Sequence, residues 1–345
     1  MIKKTLRLMS LLIFIVSCMS ASYVSAEIVR THVRPDPKGT PTEVLLDAYI
    51  VDIFEIDSMK QSFSANCFIT AQWKDERLAN KTETSEGTYR KFPLRDHWNP
   101  RLFVFNQKNL KKIYNPKDTV TVTPDGEVIY LQSYIGDFSL PTELKKFPFD
   151  KDILPIKIIA AGYTPEQVKF SVKKVGTGRS KTVSIADWEV GDLTAEIGTL
   201  TVDYQKNRKL TSVDFTVPVK RYSSFYIFRL IIPLIFIVFM SFIVFWVDPK
   251  ELGPQLGVAA TSMLTIIAFQ YAVSNSLPRI YYLTRLDLYM LGSTMLVFFA
   301  LVEAITTSVL AKRGKDMLAL SIDKRSRVLF PAAFIALFIY TLFLY

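Results

Sequence analysis

The sequence predicts an all-β sandwich of the immunoglobulin-like type followed by a four-helix transmembrane bundle. Two observations carry this prediction. Short alternating or β-branched runs separated by turn residues recur up to residue 222, as is typical of β-sandwiches. Four long apolar stretches then occupy most of residues 223–345, and each can cross or nearly cross a hydrocarbon layer about 30 Å thick.

Residues 1–26 have the layout of a secretory signal peptide. Lys3, Lys4 and Arg7 precede a short apolar core, and a small-residue cleavage site ends at Ala26. The residues before Cys18 also loosely resemble a bacterial lipoprotein box, so cleavage after Ala26 and lipidation of Cys18 are both open. Either route predicts an exported chain.

We expect a β-sandwich at residues 27–222, which carry 29 basic and 26 acidic residues. Their one cysteine is Cys67, so the exported sandwich must rely on its apolar core rather than on an intrachain disulfide. The strand-like runs are 44–56, 62–73, 120–122, 127–130, 153–160, 168–172, 193–202 and 212–219.

The second half, residues 223–345, should form the transmembrane domain. Its apolar stretches are 225–247, 252–273, 286–311 and 328–345. Between the last two lies a basic loop, which the positive-inside rule places in the cytoplasm. Four spans then put both the sandwich and the C-terminus on the outer side of the membrane. The basic residues of this loop are Lys312, Arg313, Lys315, Lys324, Arg325 and Arg327.

Composition excludes several classes of function. The net charge of +10 divides among the signal segment, the sandwich and the membrane half, so it is not a nucleic-acid footprint. His32 and His97 are the only histidines, and no nucleophile triad, phosphate-binding glycine loop or metal-ligand set occurs. We therefore expect a protein that is not an enzyme and needs no cofactor or metal.

One stripe on the second apolar stretch is mostly small or polar. Its residues follow one another at spacings of 4, 3, 4, 3 and 4, which is one face of a helix. Polar residues in a membrane face protein or water. The stripe could line a pore formed by a ring of identical subunits, with Leu264 as its gate, or pack against another helix. Its members are Gly257, Thr261, Leu264, Ala268, Tyr271 and Asn275.

Six short motifs occur in a fixed order along the chain. Together with the four spans, they resemble those of prokaryotic pentameric ligand-gated ion channels, the Cys-loop receptor family. The motifs are Trp73-Lys-Asp75-Glu-Arg77-Leu78, Trp98-Asn-Pro100, Phe147-Pro-Phe-Asp150, Arg221 twelve residues before Pro233, Asn275-Ser-Leu-Pro278 and Ser326-Arg-Val-Leu-Phe-Pro331.

The resemblance implies a homopentamer around a central pore. It also implies that the second span lines this pore, which outweighs simple packing as an interpretation of the stripe. Leu140 and Leu154 stand at the positions of the family's eponymous cysteines, and bacterial members likewise lack that disulfide.

A ligand pocket between neighbouring sandwiches is implied as well. The positions that match its aromatic residues are Phe68, Phe105, Tyr163 and Tyr204. Aromatic faces attract cations, so an amine ligand is plausible, although core packing is the alternative for each ring. Ala161 replaces an aromatic residue of many receptors, which puts a complete amine-binding box in doubt.

At the junction of the two domains, the resemblance implies a coupling cluster. Arg221 should meet Asp150 and an acid of the first hairpin, which we expect to be Asp57, and should transmit motion to Pro278 and the pore helix. The alternative is a static ion-pair cluster that only holds the domains together.

Ion selectivity should depend on the acids at the inner mouth of the pore. Asp248 and Glu251 lie just before the second span, which favours cations, although Gly253-Pro254 is similar to anion-selective members. Glu303 within the third span is either a proton site or a hydrogen-bonded packing residue.

The sequence thus predicts a ligand- or proton-gated, cation-favouring ion channel. Its expected partners are its own copies in a pentamer, the lipid bilayer, monovalent ions and a small ligand or protons, with no nucleic acid. The competing hypothesis is a non-conducting, membrane-anchored sensor or binding protein.

Overall fold

The computed structural model describes residues 32–35, 39–80, 89–173, 175–202, 208–274 and 280–344. The signal segment 1–26, Tyr204, Asn275 and Pro278 lie outside these ranges. Within them, a β-sandwich precedes four long apolar helices, so the predicted fold class is confirmed.

Two sheets form the sandwich. The first has the order β10-β1-β2-β7-β6-β3, with β5 added on β7 and β9 on β1. Its strands are β1 (Thr42–Asp57), β2 (Ser62–Lys74), β3 (Arg90–Pro93), β5 (Gln107–Lys112), β6 (Thr119–Val122), β7 (Glu127–Ser139), β9 (Val168–Val172) and β10 (Gly178–Arg179).

The second sheet has the order β11-β13-β8-β4, with β12 added on β13. The antiparallel pairing of β13 with β8 sets Lys220 opposite Lys151. This register places the neighbouring residues Arg221 and Asp150 side by side. The strands of this sheet are β4 (Leu102–Val104), β8 (Lys151–Ala160), β11 (Trp188–Val190), β12 (Thr194–Val202) and β13 (Arg208–Arg221).

Alternating residues of both sheets fill the core, because successive side chains of a strand point to opposite faces. The Trp73 and Trp98 rings meet edge to face at 6.0 Å. Leu140 and Leu154, at the positions that resemble the family's cysteines, are both buried in this core. Burial raises the pKa of the Cys67 thiol to about 12, which keeps it an inert core residue.

The helices are α1 (Ser224–Trp246), α2 (Leu252–Ser274), α3 (Arg285–Lys312) and α4 (Asp316–Ile339), which a π-helical turn extends through Tyr340–Leu344. α3 packs against the other three helices. A capping box of Thr284 and Asp287 starts α3, because the two side chains satisfy amides that the first turn leaves free. α4 begins twelve residues before the apolar stretch predicted from position 328.

Gly136 holds β5 against β7, and replacing it by alanine should destabilise the sandwich. Its φ is +140°, and a Cβ atom there would lie 1.9 Å from the Asn109 carbonyl oxygen. The strained backbone and the clash should together cost at least about 2 kcal/mol. Thermal unfolding of the purified protein measures the loss. Gly178→Ala is the matched control, because nothing lies within 4 Å of that position. Equal melting temperatures for the two variants would contradict this account.

Candidate functional site

Arg221 and Asp150 form a buried bidentate ion pair between the sandwich and the helices. The guanidinium Nε and Nη2 donate to Oδ1 and Oδ2 of Asp150 at 2.9 and 3.0 Å. Asp150 directly precedes β8 and Arg221 ends β13, so the pairing of these strands brings the two side chains together. Their side chains are only 1% and 7% exposed, and such charge-assisted pairs are about twice as strong as neutral hydrogen bonds.

Ser58 supplies the third contact of the guanidinium, at the position where Asp57 was expected. Arg221 Nη2 donates to Ser58 Oγ at 2.8 Å. Asp57 instead accepts from the backbone amides of Met59 and Lys60 and pairs with the Lys60 ammonium at 2.8 Å. Burial opposes ionisation of Asp57, but these Lys60 and Met59 contacts outweigh it and lower the pKa of its carboxyl. Asp57 therefore stabilises the short turn after β1.

Aromatic rings enclose the same guanidinium. The Cζ atom of Arg221 lies 4.1 Å from the ring centroid of Trp188, 5.2 Å from that of Phe147 and 6.0 Å from that of Tyr226. Phe147 and Tyr226 also meet edge to face at 4.8 Å. Since Tyr226 belongs to α1, these cation–π contacts tie the last strand of the sandwich to the first helix.

The loop between β7 and β8 reaches the other helices. Leu144 and Phe147 are buried among apolar residues of the helices. The backbone amide of Leu144 donates to the Tyr282 hydroxyl at 3.0 Å, and the amide of Arg285 donates to the Lys145 carbonyl at 2.9 Å. The loop thus contacts the segment that enters α3, next to the undescribed residues 275–279 that include Pro278.

Asp152 is a second acid at this junction. It is buried, and its Oδ2 has no hydrogen-bond partner among the described residues. Burial and the neighbouring charge of Asp150 raise the pKa of Asp152 to about 6. Motif reasoning missed Asp152, because its burial depends on the packing around β8.

The predicted pocket aromatics occupy different sheets. Phe105 follows β4 at the edge of the second sheet and is half exposed. Phe68 lies on β2 of the first sheet, with its ring 5.9 Å from that of Tyr114. Among the described residues, the Phe68 and Phe105 rings make no contact with each other.

Tyr163 already has partners on its own chain. Its hydroxyl accepts from Trp98 Nε1 at 2.9 Å, and the Arg101 guanidinium lies 5.8 Å from its ring. Arg208 donates to the neighbouring Gly162 carbonyl at 2.5 Å. The Tyr163 ring is thus held by a tryptophan on one side and faces a cation of the protein itself.

The stripe on α2 is exposed along its described length. Leu264 and Tyr271 are 69% and 78% exposed, and the three small or hydroxyl members Gly257, Thr261 and Ala268 are exposed as well. The opposite face of α2 is buried through Gln255, Ala259, Ser262, Ile266 and Val273. Packing within the chain therefore uses the other face of this helix.

Asp248 and Glu251, the two acids before α2, lie on either side of Lys250 in the sequence. Asp248 and Glu251 are both exposed, and Asp248 Oδ1 accepts from the Lys250 amide at 3.0 Å. The Lys250 ammonium instead pairs with Asp316 at 2.8 Å. This lysine's charge is therefore balanced by α4, while both acids remain unpaired by salt bridges among the described residues.

Two family models match this architecture. The neurotransmitter-gated ion-channel ligand binding domain matches residues 26–223, and the transmembrane region of the same channels matches residues 230–318. The chain belongs to the neurotransmitter-gated ion-channel family. It is therefore a ligand-gated ion channel and a multi-pass membrane protein, and members of this family are not enzymes.

The chain is also similar in sequence to individual ion-channel proteins. The channel is 25% identical over 315 residues to the proton-gated ion channel of Gloeobacter violaceus, covering 91% of this chain and 86% of the relative. It is 22% identical over 288 residues to glycine receptor subunit beta of Rattus norvegicus, and to that of Mus musculus, covering 82% of this chain. The alignment spans 58% of each glycine receptor subunit.

Replacing Asp152 by asparagine should flatten the pH dependence of the channel's stability between about pH 4 and about pH 6. The raised pKa means that the folded protein binds this proton more tightly than the unfolded chain does. The carboxyl therefore favours folding below its ordinary pKa of 3.8, and this contribution is lost as the pH rises through about 6.

The Asp152→Asn variant should accordingly be more stable than the wild type at neutral pH, because the amide never becomes charged. Thermal unfolding of the detergent-purified channel across this range measures the effect. Asp192→Asn is the control, since that side chain is 94% exposed. Parallel stability curves for wild type and Asp152→Asn would contradict this account.

Proposed function

We propose that the chain assembles as a homopentamer whose pore is lined by α2 and favours monovalent cations. Residues 27–222 form the ligand-binding domain, which faces the periplasm or the extracellular space after removal of the signal peptide 1–26. Residues 223–345 form the transmembrane domain in a bacterial inner membrane. The stripe on α2 is the single observation that carries this proposal, because it stays exposed although the helix is packed.

Pore lining explains this exposure better than lipid contact does. A lipid-facing stripe gains nothing from Gly257 and Thr261, whereas small and hydroxyl residues leave room for water along a pore. Leu264, in the middle of the stripe, places an apolar ring where five copies would meet. Such a ring can close a pore by excluding water.

The charges at the start of α2 support cation selectivity. No lysine, arginine or histidine occurs within α2, and Lys250 is paired with Asp316. Asp248 and Glu251 therefore contribute net negative charge at the inner mouth, and five copies would form acidic rings.

Activation requires a ligand or protons at the sandwich. Phe105 and Tyr163 would form the pocket on one subunit together with Tyr204, while Phe68 of the neighbouring subunit would face them. This division agrees with the placement of Phe68 and Phe105 on different sheets. The relatives' names describe a proton-gated channel and a glycine receptor subunit, so protons and small amines are the stimuli to test first.

The junction would transmit activation to the pore. Arg221 joins Asp150, Ser58 and the first helix, while the Leu144 loop contacts Tyr282 beside the linker that contains Pro278. These contacts would carry a change in the sandwich to α1 and to the start of α3, which packs against α2. The alternative, a static cluster, would stabilise assembly without affecting gating.

Replacing Leu264 by threonine should open the pore without a stimulus, because the hydroxyl removes the apolar barrier to water. Bilayer recordings of the reconstituted variant measure this leak current. Leu291→Thr is the matched control on α3, where the leucine is also partly exposed. Equal currents from both variants would refute α2 as the pore lining.

The open pore expected of Leu264→Thr also allows ion selectivity to be measured. In a NaCl gradient, the reversal potential of Leu264→Thr should lie near the sodium equilibrium potential. Adding Asp248→Asn and Glu251→Gln should move it toward zero, since the acidic rings are lost. Glu189→Gln, an exposed acid on β11, is the control. A reversal potential near the chloride value in Leu264→Thr would refute the cation preference.

Replacing Arg221 by alanine should abolish currents evoked by acid or by an amine ligand. It leaves Asp150 buried without its partner, a change that typically costs about 3–5 kcal/mol. Arg221→Lys, which keeps the charge but loses the bidentate fork, should retain a reduced response. Native gel analysis of the oligomer checks assembly. Normal evoked currents from assembled Arg221→Ala channels would contradict coupling through this residue.

A further inference from the structure

Two carboxyl groups lie inside the helix bundle without a salt bridge to any described basic residue. Asp323 on α4 is completely buried, and neither of its carboxyl oxygens accepts a hydrogen bond in good geometry from a described residue. Both carboxyl oxygens of Glu303 on α3 are likewise buried and unsatisfied within the described part of the chain. α3 packs against α4, and the two carboxyl groups are near enough for the charge of one to act on the other.

The nearby hydroxyl groups do not neutralise this pair. Ser326 lies beside Glu303, and Thr307 lies beside Asp323. Thr307 Oγ1 contacts the backbone carbonyls of Glu303 and Ala304 at 3.1 and 3.2 Å, so its proton is directed to the helix backbone. The carboxyl groups therefore face polar neighbours that supply no charge.

The charge of Arg327 attracts the Asp323 carboxylate, but the guanidinium makes its contacts with other groups. Arg327, one turn after Asp323, donates to the Phe245 carbonyl at 2.9 Å and lies 5.4 Å from the Trp246 ring. The charge of Asp248, before α2, adds repulsion toward Asp323.

The remaining helices contribute no counter-charge next to the pair. α2 contains no acidic or basic residue. On α1 the one charged residue is Arg229, near the sandwich end, where it lies 4.8 Å from the Phe225 ring. At the other end of the bundle, Lys250 is paired with Asp316.

Two negative charges at such a position are mutually repulsive and lack water to solvate them. A single proton between them removes one charge and turns the acid into a donor to the remaining carboxylate. We propose that Glu303 and Asp323 form a proton-binding site in which a carboxylic acid and a carboxylate share one proton between α3 and α4.

A polar chain connects this site to the pore helix. Beside Glu303, Thr307 Oγ1 accepts from Gln255 Nε2 at 3.4 Å. Ser308 Oγ donates to Gln255 Oε1, and Gln255 is a fully buried residue of α2. Loss of the shared proton would drive α4 from α3 by charge repulsion and disturb the turn of α3 that holds Gln255. The channel would thereby sense pH within the membrane, apart from its pocket between sandwiches.

Infrared spectroscopy of the lipid-reconstituted wild-type channel tests the shared proton, because a protonated carboxyl group absorbs separately from a carboxylate. We expect a protonated-carboxyl band at neutral pH that is lost on alkaline titration, because burial and the neighbouring carboxyl group both oppose the second charge. Glu303→Gln and Asp323→Asn should each reduce this band. Glu76→Gln, an exposed acid on the sandwich, should leave it unchanged.

Absence of the band from the wild type would overturn the proposal, and this result needs no variant to fold. A band that persists at full amplitude in both Glu303→Gln and Asp323→Asn would overturn it as well. Thermal unfolding adds a second readout: the pH dependence near neutrality should weaken in each single variant, and the double variant should lose little more. Fully additive losses would show that the two carboxyl groups do not share a proton.

Discussion

The buried ion pair of Arg221 and Asp150 is the interaction on which the arrangement of the two domains depends. It joins the end of β13 to the start of β8, and its aromatic surroundings extend onto α1. A guanidinium in this position satisfies the carboxylate bidentately and offers its faces to aromatic rings, which an ammonium cannot do. The pair and its aromatic neighbours therefore link the end of the sandwich to the first helix.

Some other buried acids of the described chain lack the arginine partner that Asp150 has. Asp150 has a permanent cation within hydrogen-bond distance, whereas Asp152 has none and its pKa rises to about 6. Inside the helix bundle, the buried carboxyl oxygens of Glu303 and Asp323 have no hydrogen-bond partner among the described residues. Arginine thus pairs with some buried acids of the described chain, such as Asp150 and Asp75, and leaves others, such as Asp152, without a salt bridge. The first kind suits a mechanical link, and the second suits a response to pH.

Periodicity and composition were sufficient to predict the sandwich, the four apolar helices and the membrane location, because burial imposes regular patterns on strands and spans. The Asp150–Arg221 pair was anticipated through motifs that resemble a known family. Ser58 could not be anticipated, since an Asx-type turn directs Asp57 away from the guanidinium. Trp188, Tyr226 and Asp152 were also missed as junction residues, because strand register and domain docking determine which side chains surround Arg221. Sequence alone gave Glu303 no partner, as the α3–α4 contact is needed to identify Asp323.

We propose that this junction transmits a stimulus to a pore that can conduct by itself. Single-channel recording of the double variant Leu264→Thr/Arg221→Ala tests this claim most directly, with Leu264→Thr as the reference. The account predicts that the double variant conducts with the same unitary conductance, while acid or an amine ligand no longer changes its open probability. A double variant whose open probability still responds as in Leu264→Thr alone would contradict it.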